Sequence, residues 1–432
     1  MHLLFVGSGY VGLVSGVMLA STGLRVTCID SDKNKIELLR NGKLPIYEPG
    51  LEEYVSSSQK NGNLDFISDY SELQSVPYAV FITVGTPSLE SGDADLSCVY
   101  DASLLAAKNL PETTLIVIKS TVPPGTTSAV QNFLKAKGYS HQLVSNPEFL
   151  REGKAIADFM NPDRVVIGLW DEKSREVIQK IYKDFSPLFF TDPTTAELIK
   201  YASNSFLATK IAFINEMANI CEKTGGDVDA LAIAMGMDKR IAPDFLKVGP
   251  GFGGSCFPKD ILALEFLARK CGEPFHVLSA VIEANEKRRG HIVDKIEAQM
   301  GGIKGKAIGV LGLAFKADTD DIRSSPAIDI VNLLIARGAN VKAYDPEAMD
   351  NTKQLGIRLD FAINAEDVFS VSDAVVILTE WKEFKELDYK ALGAKMKEKI
   401  IFDFRNILDR DLLEKQGFKI FQLGKKHESY NL

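Results

Sequence analysis

The segment Gly249-Pro250-Gly251-Phe252-Gly253-Gly254-Ser255-Cys256-Phe257-Pro258-Lys259-Asp260 holds the side chain best suited to covalent chemistry. Four glycines in the six residues from Gly249 to Gly254 let the backbone approach a ligand closely. Pro258 suits the first turn of a helix running on through ILALEFLARK. Cys256 is then expected at or near a helix N-terminus, where the helix dipole and Lys259 favour the nucleophilic thiolate. Asp260, four residues on, shares its helix face. A free cysteine is more often a small buried hydrophobe, and it is the glycine loop and the helix start that shift the balance toward a nucleophile here. Cys28, Cys98, Cys221 and Cys271 fall in strand or helix patterns and are assigned to structure.

Other polar residues stand where apolar ones are expected. Along one helical pattern, alternating steps of four and three pick out Lys200, Asn204, Leu207, Ile211, Ile214, Ala218 and Cys221. The last five form an apolar stripe, and Lys200 and Asn204 extend it with groups that need partners if buried. A lysine and an amide one turn apart could bind a developing oxyanion; the alternative is that the stripe surfaces there and Lys200 is solvated. Two carboxylates, Glu148 and Glu152, lie in NPEFLRE just after a strand-like run. The segments STVPPG (from Ser120 through Thr121) and VGTP (ending in Thr86 and Pro87) likewise follow apolar runs. Each could be a simple turn, but three such loops after parallel strands would line one crevice.

Near the start, Gly7-Ser8-Gly9-Tyr10-Val11-Gly12 is G-x-G-x-x-G directly after the run LLFV. Gly7 permits the tight turn, Gly9 lets a pyrophosphate approach the backbone, and Gly12 allows close helix–strand packing. A pyrophosphate would sit at the helix N-terminus, where free N–H groups favour anions. Asp30 ends the second strand, where an acidic side chain suits the ribose hydroxyls of NAD and repels a 2′-phosphate. The pattern predicts NAD; FAD is the competing cofactor, and a glycine-rich turn with Asp30 as a helix cap is the bland alternative.

These groups need a scaffold, and the chain supplies one. Strand-like runs AVFITVG, LIVIKS, HQLVSNP and RVVIGL alternate with helical patterns, which predicts a parallel sheet with helices on its faces. A helical pattern without glycine or proline runs from Thr194 to Gly225, opened by a capping box Thr194-x-x-Glu197. At about 40 Å, it is long enough to bridge domains or form a dimer interface. A second α/β pattern starts after residue 300 with GKAIGVLGLAFK, but Ala314 and Ala317 stand where second and third fingerprint glycines would be, leaving Gly312 alone. The expected fold is α/β: two Rossmann-like, doubly wound domains joined by a long central helix and a helical middle. The expected boundaries are 1–193 for dinucleotide binding, 194–300 for a dimerising segment with the cysteine loop, and 301–432 for a second ligand-binding domain.

The chain has 432 residues, enough for two or three domains. Its net charge of −8 argues against a nucleic-acid binder, though not against a local basic pocket for an anionic small molecule. Five scattered cysteines with no C-x-x-C pair argue against a disulfide framework and a structural zinc site. No signal peptide and no membrane-spanning run are visible, so a cytoplasmic location is expected.

Together, GSGYVG, VGTP, KSTVPPGTT, NPEFLREGKA, ELIKYASNSFLATKIAFINEMA, GPGFGGSCFPKD and GLAFKADTDDIRSSP resemble the UDP-glucose 6-dehydrogenase family, in family order over nearly the whole chain. The resemblance implies two-step oxidation of a nucleotide-sugar C6 alcohol to a carboxylate through a thiohemiacetal and a thioester, with Cys256 as nucleophile. It implies Thr121, Glu148, Lys200, Asn204 and Asp260 as the other catalytic residues. Glu148 would be the base for hydrolysis, Lys200 and Asn204 would stabilise oxyanions, and Thr121 and Asp260 would position a water or the lysine. Around NAD, the resemblance implies Gly7, Gly9, Tyr10, Val11 and Gly12, with Asp30, Lys35, Thr86, Thr121, Glu152 and Arg323. Around a UDP-sugar it implies Glu148, Phe149, Leu150, Glu152, Lys200 and Asn204, then Phe245, Gly253, Phe315 and Lys316. Arg240 would come from the partner subunit of a homodimer or larger homo-oligomer, and Arg405 is a weaker match. GDP-mannose 6-dehydrogenases share the thiol chemistry but usually read CLPKD where this chain reads CFPKD, and UDP-N-acetylmannosamine dehydrogenases look further away there. A one-step hydroxy-acid dehydrogenase has no need of the thiol, and a non-catalytic nucleotide-sugar sensor has no reason to keep thiol and base together.

Overall fold

Eight strands of the N-terminal half form one sheet: β1 (His2–Val6), β2 (Arg25–Ile29), β3 (Leu64–Ile67), β4 (Ala79–Ile82), β5 (Leu115–Ile118), β6 (Leu143–Ser145), β7 (Val165–Gly168) and β8 (Leu188–Thr191). Their order is β3-β2-β1-β4-β5-β6-β7-β8. All neighbours are parallel except β6 and β7, which meet antiparallel at Ser145 and Gly168. The central strands are short apolar runs because helices cover both faces; every residue of β4 and β5 is buried. Phe5 and Phe81 stack across adjacent strands with ring centroids 4.6 Å apart. The order reverses between β1 and β4, and the loops after those strands carry Gly7 and Thr83. Ligands of doubly wound sheets bind at such a switch point. β3 and β8 escaped the sequence reading because Asp65 interrupts one and the other is a half-exposed edge strand.

The computed structural model describes residues 1–426. It divides into two compact units: Met1–Ser203 with Leu262–Gly272, and Asn204–Ile261 with the chain from Glu273 on. The helix Pro193–Thr224 contributes to both, as does the helix Phe257–Lys270. The first has 32 residues, about 48 Å of helix. The expected capping box is not its start. Asp192 Oδ1 accepts from Thr195 N at 2.9 Å instead, while Glu197 turns sideways to the helix Thr126–Ala136. There its carboxylate accepts from Gly125 N at 2.6 Å and Thr127 N at 2.7 Å. A buried carboxylate does better against a whole helix N-terminus than against one N–H of its own helix.

In the second unit, β9 (Ala307–Leu311), β10 (Asn340–Tyr344), β11 (Asp360–Phe361), β12 (Ala374–Ile377), β13 (Ile400–Asp403) and β14 (Lys419–Gln422) form a wholly parallel sheet ordered β11-β10-β9-β12-β13-β14. The turn after β9 looks like the fingerprint turn but serves the fold. A Cβ on Gly312 would lie 1.9 Å from Thr379 Oγ1. Buried Asp345, at the place Asp30 holds in the first sheet, accepts from Leu313 N and Ala314 N at 2.7 and 3.1 Å. Asp30 makes the first of these bonds too, to Ser8 N at 2.8 Å, so what sets the second turn apart is Gly312 packed on Thr379 and the added bond from Ala314 N.

Cys28 and Cys221 are buried as expected, but Cys98 and Cys271 are exposed. Cys98 stands in the first turn of Ser97–Asn109 and Cys271 just past the end of Phe257–Lys270, so neither helps build a core. Among the described residues, no helix is long and apolar enough to cross a membrane.

Candidate active site

The glycine turn after β1 is built for a dinucleotide. Gly7 has φ 98°, a left-handed conformation. A Cβ on Gly12 would lie 1.9 Å from the Gly7 carbonyl oxygen, so helix and turn pack too closely for any side chain. Gly9 is different: a Cβ there would meet no protein atom within 4 Å. Protein packing does not demand glycine at this position, whereas close approach of a pyrophosphate does. Tyr10 and Val11 open the helix Tyr10–Ser21 behind it. Asp30 accepts from Ser8 N at 2.8 Å and Asp32 N at 3.0 Å, and pairs with Lys35 Nζ at 3.0 Å. Burial pushes its pKa up, but these two N–H groups and the Lys35 ammonium outweigh that and hold it below the ordinary carboxylate value.

The loops after the next strands are tied together. Thr86 Oγ1 donates to the Thr121 carbonyl at 2.9 Å. Glu152 lies in a loop anchored to the cofactor turn: Glu48 accepts from Tyr10 Oη, from Gly153 N at 2.7 Å and from Ala155 N at 2.8 Å. Glu148 is buried after β6 and bonded on both oxygens, by Lys200 Nζ at 3.0 Å and Leu150 N at 2.5 Å. Burial raises its pKa; the Lys200 ammonium, the Leu150 N–H and the charge of Lys119 together prevail and hold it below the usual range. Lys200 is 3% exposed, so the solvated alternative falls. Its ammonium also stands 5.4 Å from the Phe149 ring centroid, and the Arg164 guanidinium stands 3.8 Å from the same centroid. All these groups belong to the first unit.

Asn204 follows Lys200 by one turn of the same helix and belongs to the second unit. There Asp260 is fully buried between two donors, Asn204 Nδ2 and Lys259 Nζ, each at 2.6 Å. The Cys256 carbonyl accepts the first helical bond, from Asp260 N at 3.0 Å, which makes Cys256 the cap of Phe257–Lys270 as expected. Its side chain is half-buried, with Ser255 Oγ 3.5 Å from the sulfur.

The glycines before the thiol fit against the second sheet's loops. A Cβ on Gly253 would lie 2.1 Å from the Ser324 carbonyl oxygen, and one on Gly254 2.8 Å from the Phe315 ring. Gly254 N donates to the Arg323 carbonyl at 3.0 Å. Gly253, Phe315 and the adjacent Lys316 are thereby brought together beside Cys256. Arg405 joins them, donating to the Phe315 carbonyl at 3.0 Å. The Arg323 side chain points to Asp321 at 2.7 Å. Phe245 sits 6.0 Å from the Phe257 ring in a left-handed conformation, φ 64°, which is unusual for a bulky residue and marks a constrained segment. Arg240 stands apart: its side chain is 88% exposed and paired with Asp238.

Sequence reasoning passed over the residues that hold these groups. Asn215 Oδ1 accepts from Gly249 N at 2.9 Å, Asn285 bonds both N and O of Phe252, and buried Arg288 donates to the Gly249 carbonyl at 3.1 Å. Lys119 was also missed. It closes the apolar run LIVIK, and a lysine ending a fully buried strand was the available signal.

Models of three successive domains match the chain in order. They are the NAD binding domain over residues 1–186, the central domain over 194–287 and the UDP binding domain over 309–410 of UDP-glucose/GDP-mannose dehydrogenases. The chain belongs to the UDP-glucose/GDP-mannose dehydrogenase family. Its cofactor is NAD, the ligand of the matched N-terminal domain, and the open space at Gly9 and the carboxylate of Asp30 fit it. Family relatives include a UDP-glucose 6-dehydrogenase of Rickettsia bellii, 49% identical over 99% of this chain and 100% of its own. Another is the UDP-glucose 6-dehydrogenase TuaD of Bacillus subtilis, 45% identical over 97% of this chain and 92% of its own. Among solved structures, a UDP-glucose dehydrogenase from Pyrobaculum islandicum superposes with a TM-score of 0.91 at 38% identity, over 99% of this chain and 98% of that one.

Proposed function

We propose that this chain oxidises the C6 alcohol of UDP-glucose to the carboxylate of UDP-glucuronate in two steps, with Cys256 carrying the intermediate. The observation that carries the reading is the thiol's setting: a half-buried cysteine capping a helix, beside close-packed glycines and one turn from a fully buried Asp260 held by Asn204 and Lys259.

NAD, when bound, supplies the acceptor for the hydride lost in each oxidation. The Gly7–Gly12 turn would hold its pyrophosphate and Asp30 its ribose hydroxyls. Everything else falls to side chains. C6 loses a hydride and its hydroxyl oxygen loses a proton to the water that Thr121 and Asp260 orient, which leaves an aldehyde. The Cys256 thiolate adds to that carbon, forming a C–S bond and an oxyanion that Lys200 and Asn204 stabilise. Loss of a second hydride gives a thioester. Glu148, held ionised beside Lys200, takes a proton from the attacking water; the C–S bond breaks, and carboxylate and thiol result. Thr121 and Asp260 orient the water and the lysine.

Substrate choice rests on the relatives and on Phe257 directly after the thiol. Assembly rests on Arg240 and on the long helix, where Phe206, Phe213 and Ile220, spaced by seven, are 66%, 47% and 52% exposed. Such an apolar row suits a second copy of the chain, and we assign residues 194–300 to that dimerising role.

NADH formation with UDP-glucose, GDP-mannose and UDP-N-acetylmannosamine offered separately tests the proposal. Two NADH per UDP-glucose, with little turnover of the others, is expected. Preference for GDP-mannose, or a stop at one NADH, would overturn it.

A further inference from the structure

We infer that Lys119 is a positioning residue for Glu148: its buried ammonium, anchored on Asn146, is a second cation beside the Glu148–Lys200 pair that holds the carboxylate charged and in place. The inference rests on the reading of Glu148 as the base of thioester hydrolysis and adds to it a residue with no role there.

Lys119 is the first residue past β5 and is 4% exposed. A lysine almost never occupies such a position without a partner of opposite charge or a strong acceptor. Its Nζ donates to Asn146 Oδ1 at 3.1 Å. Asn146 is itself fixed on every side: its N donates to the Ile118 carbonyl at 2.8 Å, its Nδ2 to the Val166 carbonyl at 2.9 Å, and its Oδ1 accepts from Tyr182 Oη at 2.6 Å. Asn146 stands two residues before Glu148, so the anchor of the lysine is also the anchor of the carboxylate's loop.

Two cations act on Glu148 itself, and two further groups reach its loop through Asn146 and Phe149. Lys119 ends β5; Lys200 lies on the long helix; Tyr182, whose phenol burial keeps protonated, follows Glu172–Ile181; Arg164, over the Phe149 ring, precedes β7. Burial brings Lys119 down to about 8, with the repulsion of Lys200 adding to that and the attraction of Glu148 opposing it. At neutral pH it therefore remains mainly a cation, and its charge lowers the pKa of Glu148. Two buried lysines against one carboxylate is an expensive arrangement for stability alone. It makes sense where the carboxylate must stay ionised in a dry pocket.

A base works only when ionised, so hydrolysis should fail as pH drops through the Glu148 pKa. The experiment follows decay of the Cys256 thioester after a single turnover, by chemical quench and intact-mass spectrometry, from pH 3 to 9, a range that reaches below the ordinary carboxylate value and so includes the limb set by Glu148. Lys119→Met, Lys119→Arg and Glu148→Gln are compared with the unmodified chain. Lys119→Met should move the acid limb upward by about one pH unit, roughly a tenfold slower decay below it. Lys119→Arg keeps the charge and should restore the limb. The methionine variant should fold, because Asn146 Oδ1 keeps the Tyr182 hydroxyl and a buried charge has been removed; a melting temperature no lower than that of the unmodified chain checks this. An unmoved limb in folded Lys119→Met overturns the inference while leaving Glu148 as the base. Unimpaired decay in Glu148→Gln overturns the reading of Glu148 itself.

Discussion

Lys200 Nζ lies 3.0 Å from Glu148 Oε1, and each side chain is only 4% exposed. Removing one member of a buried pair strands the other, which costs more than the pair itself contributes. Lys200→Met should therefore destabilise the fold by about 3 kcal/mol at pH 7, read from urea unfolding. The sign of the pH dependence follows from Glu148, whose folded pKa is depressed. Its contribution is present above the unfolded value, near pH 4.3, and is lost as pH falls through the folded one. The stability gap between Lys200→Met and the unmodified chain should close toward pH 3. A gap that stays constant into acid would mean that the two groups do not interact.

Cofactor choice should follow Asp30. Its carboxylate is held ionised by Ser8 N–H, Asp32 N–H and Lys35 at the end of β2, so a 2′-phosphate meets fixed negative charge. Asp30→Ser should weaken NADH binding by about tenfold, the scale of one lost hydrogen-bonded pair. It also leaves the Lys35 ammonium without its carboxylate, so NADPH should bind better than to the unmodified chain. Quenching of protein fluorescence reports both affinities. Equal use of NAD and NADP by the unmodified chain would remove Asp30 from this role.

The shared-site reading of Arg240 predicts subunit complementation. Arg240→Ala and Cys256→Ser chains should each be inactive, and a mixture should regain activity through heterodimers with one intact site. Phe213→Glu, in the middle of the exposed row Phe206–Phe213–Ile220, should shift the sedimentation coefficient to that of a monomer and abolish turnover together. No recovery after confirmed chain exchange would place Arg240 in its own subunit's site.

How far the sequence carries depends on what each residue answers to. The cofactor turn was legible because Gly7, Gly12 and Asp30 answer to local geometry: a left-handed φ, a 1.9 Å approach and a strand end. The cap position of Cys256 was legible for the same reason, since Pro258 and the apolar helix behind it are local signals. Lys119 and Arg288 were not, because their significance lies in partners 27 and 39 residues away. Glu197 misled for a related reason. Its spacing from Thr194 matches a local cap, yet its partner Thr127 lies 70 residues back. Spacing reports what a side chain could do nearby, and burial then decides whether a distant donor does better.

The thiol carries the proposed mechanism, and its variants separate the steps. Removing a hydride from an alcohol needs a base and an oriented acceptor, not a sulfur. The second oxidation needs an adduct at the aldehyde carbon, and release needs an acyl bond that water can cleave. Cys256→Ser leaves a hydroxyl of high pKa, a weak nucleophile whose ester resists hydrolysis. Steady-state turnover should nearly vanish while NAD and UDP-glucose still bind. Cys256→Ala forms no adduct and should accept the aldehyde only as a ligand. Glu148→Gln should behave differently: the thioester forms but persists, so a burst of two NADH per site precedes a slow rate. Intact-mass spectrometry should then find the sugar nucleotide on Cys256. Near-normal conversion to the uronic acid by Cys256→Ala would mean that the second oxidation proceeds through a hydrated aldehyde, with Cys256 serving only to cap its helix.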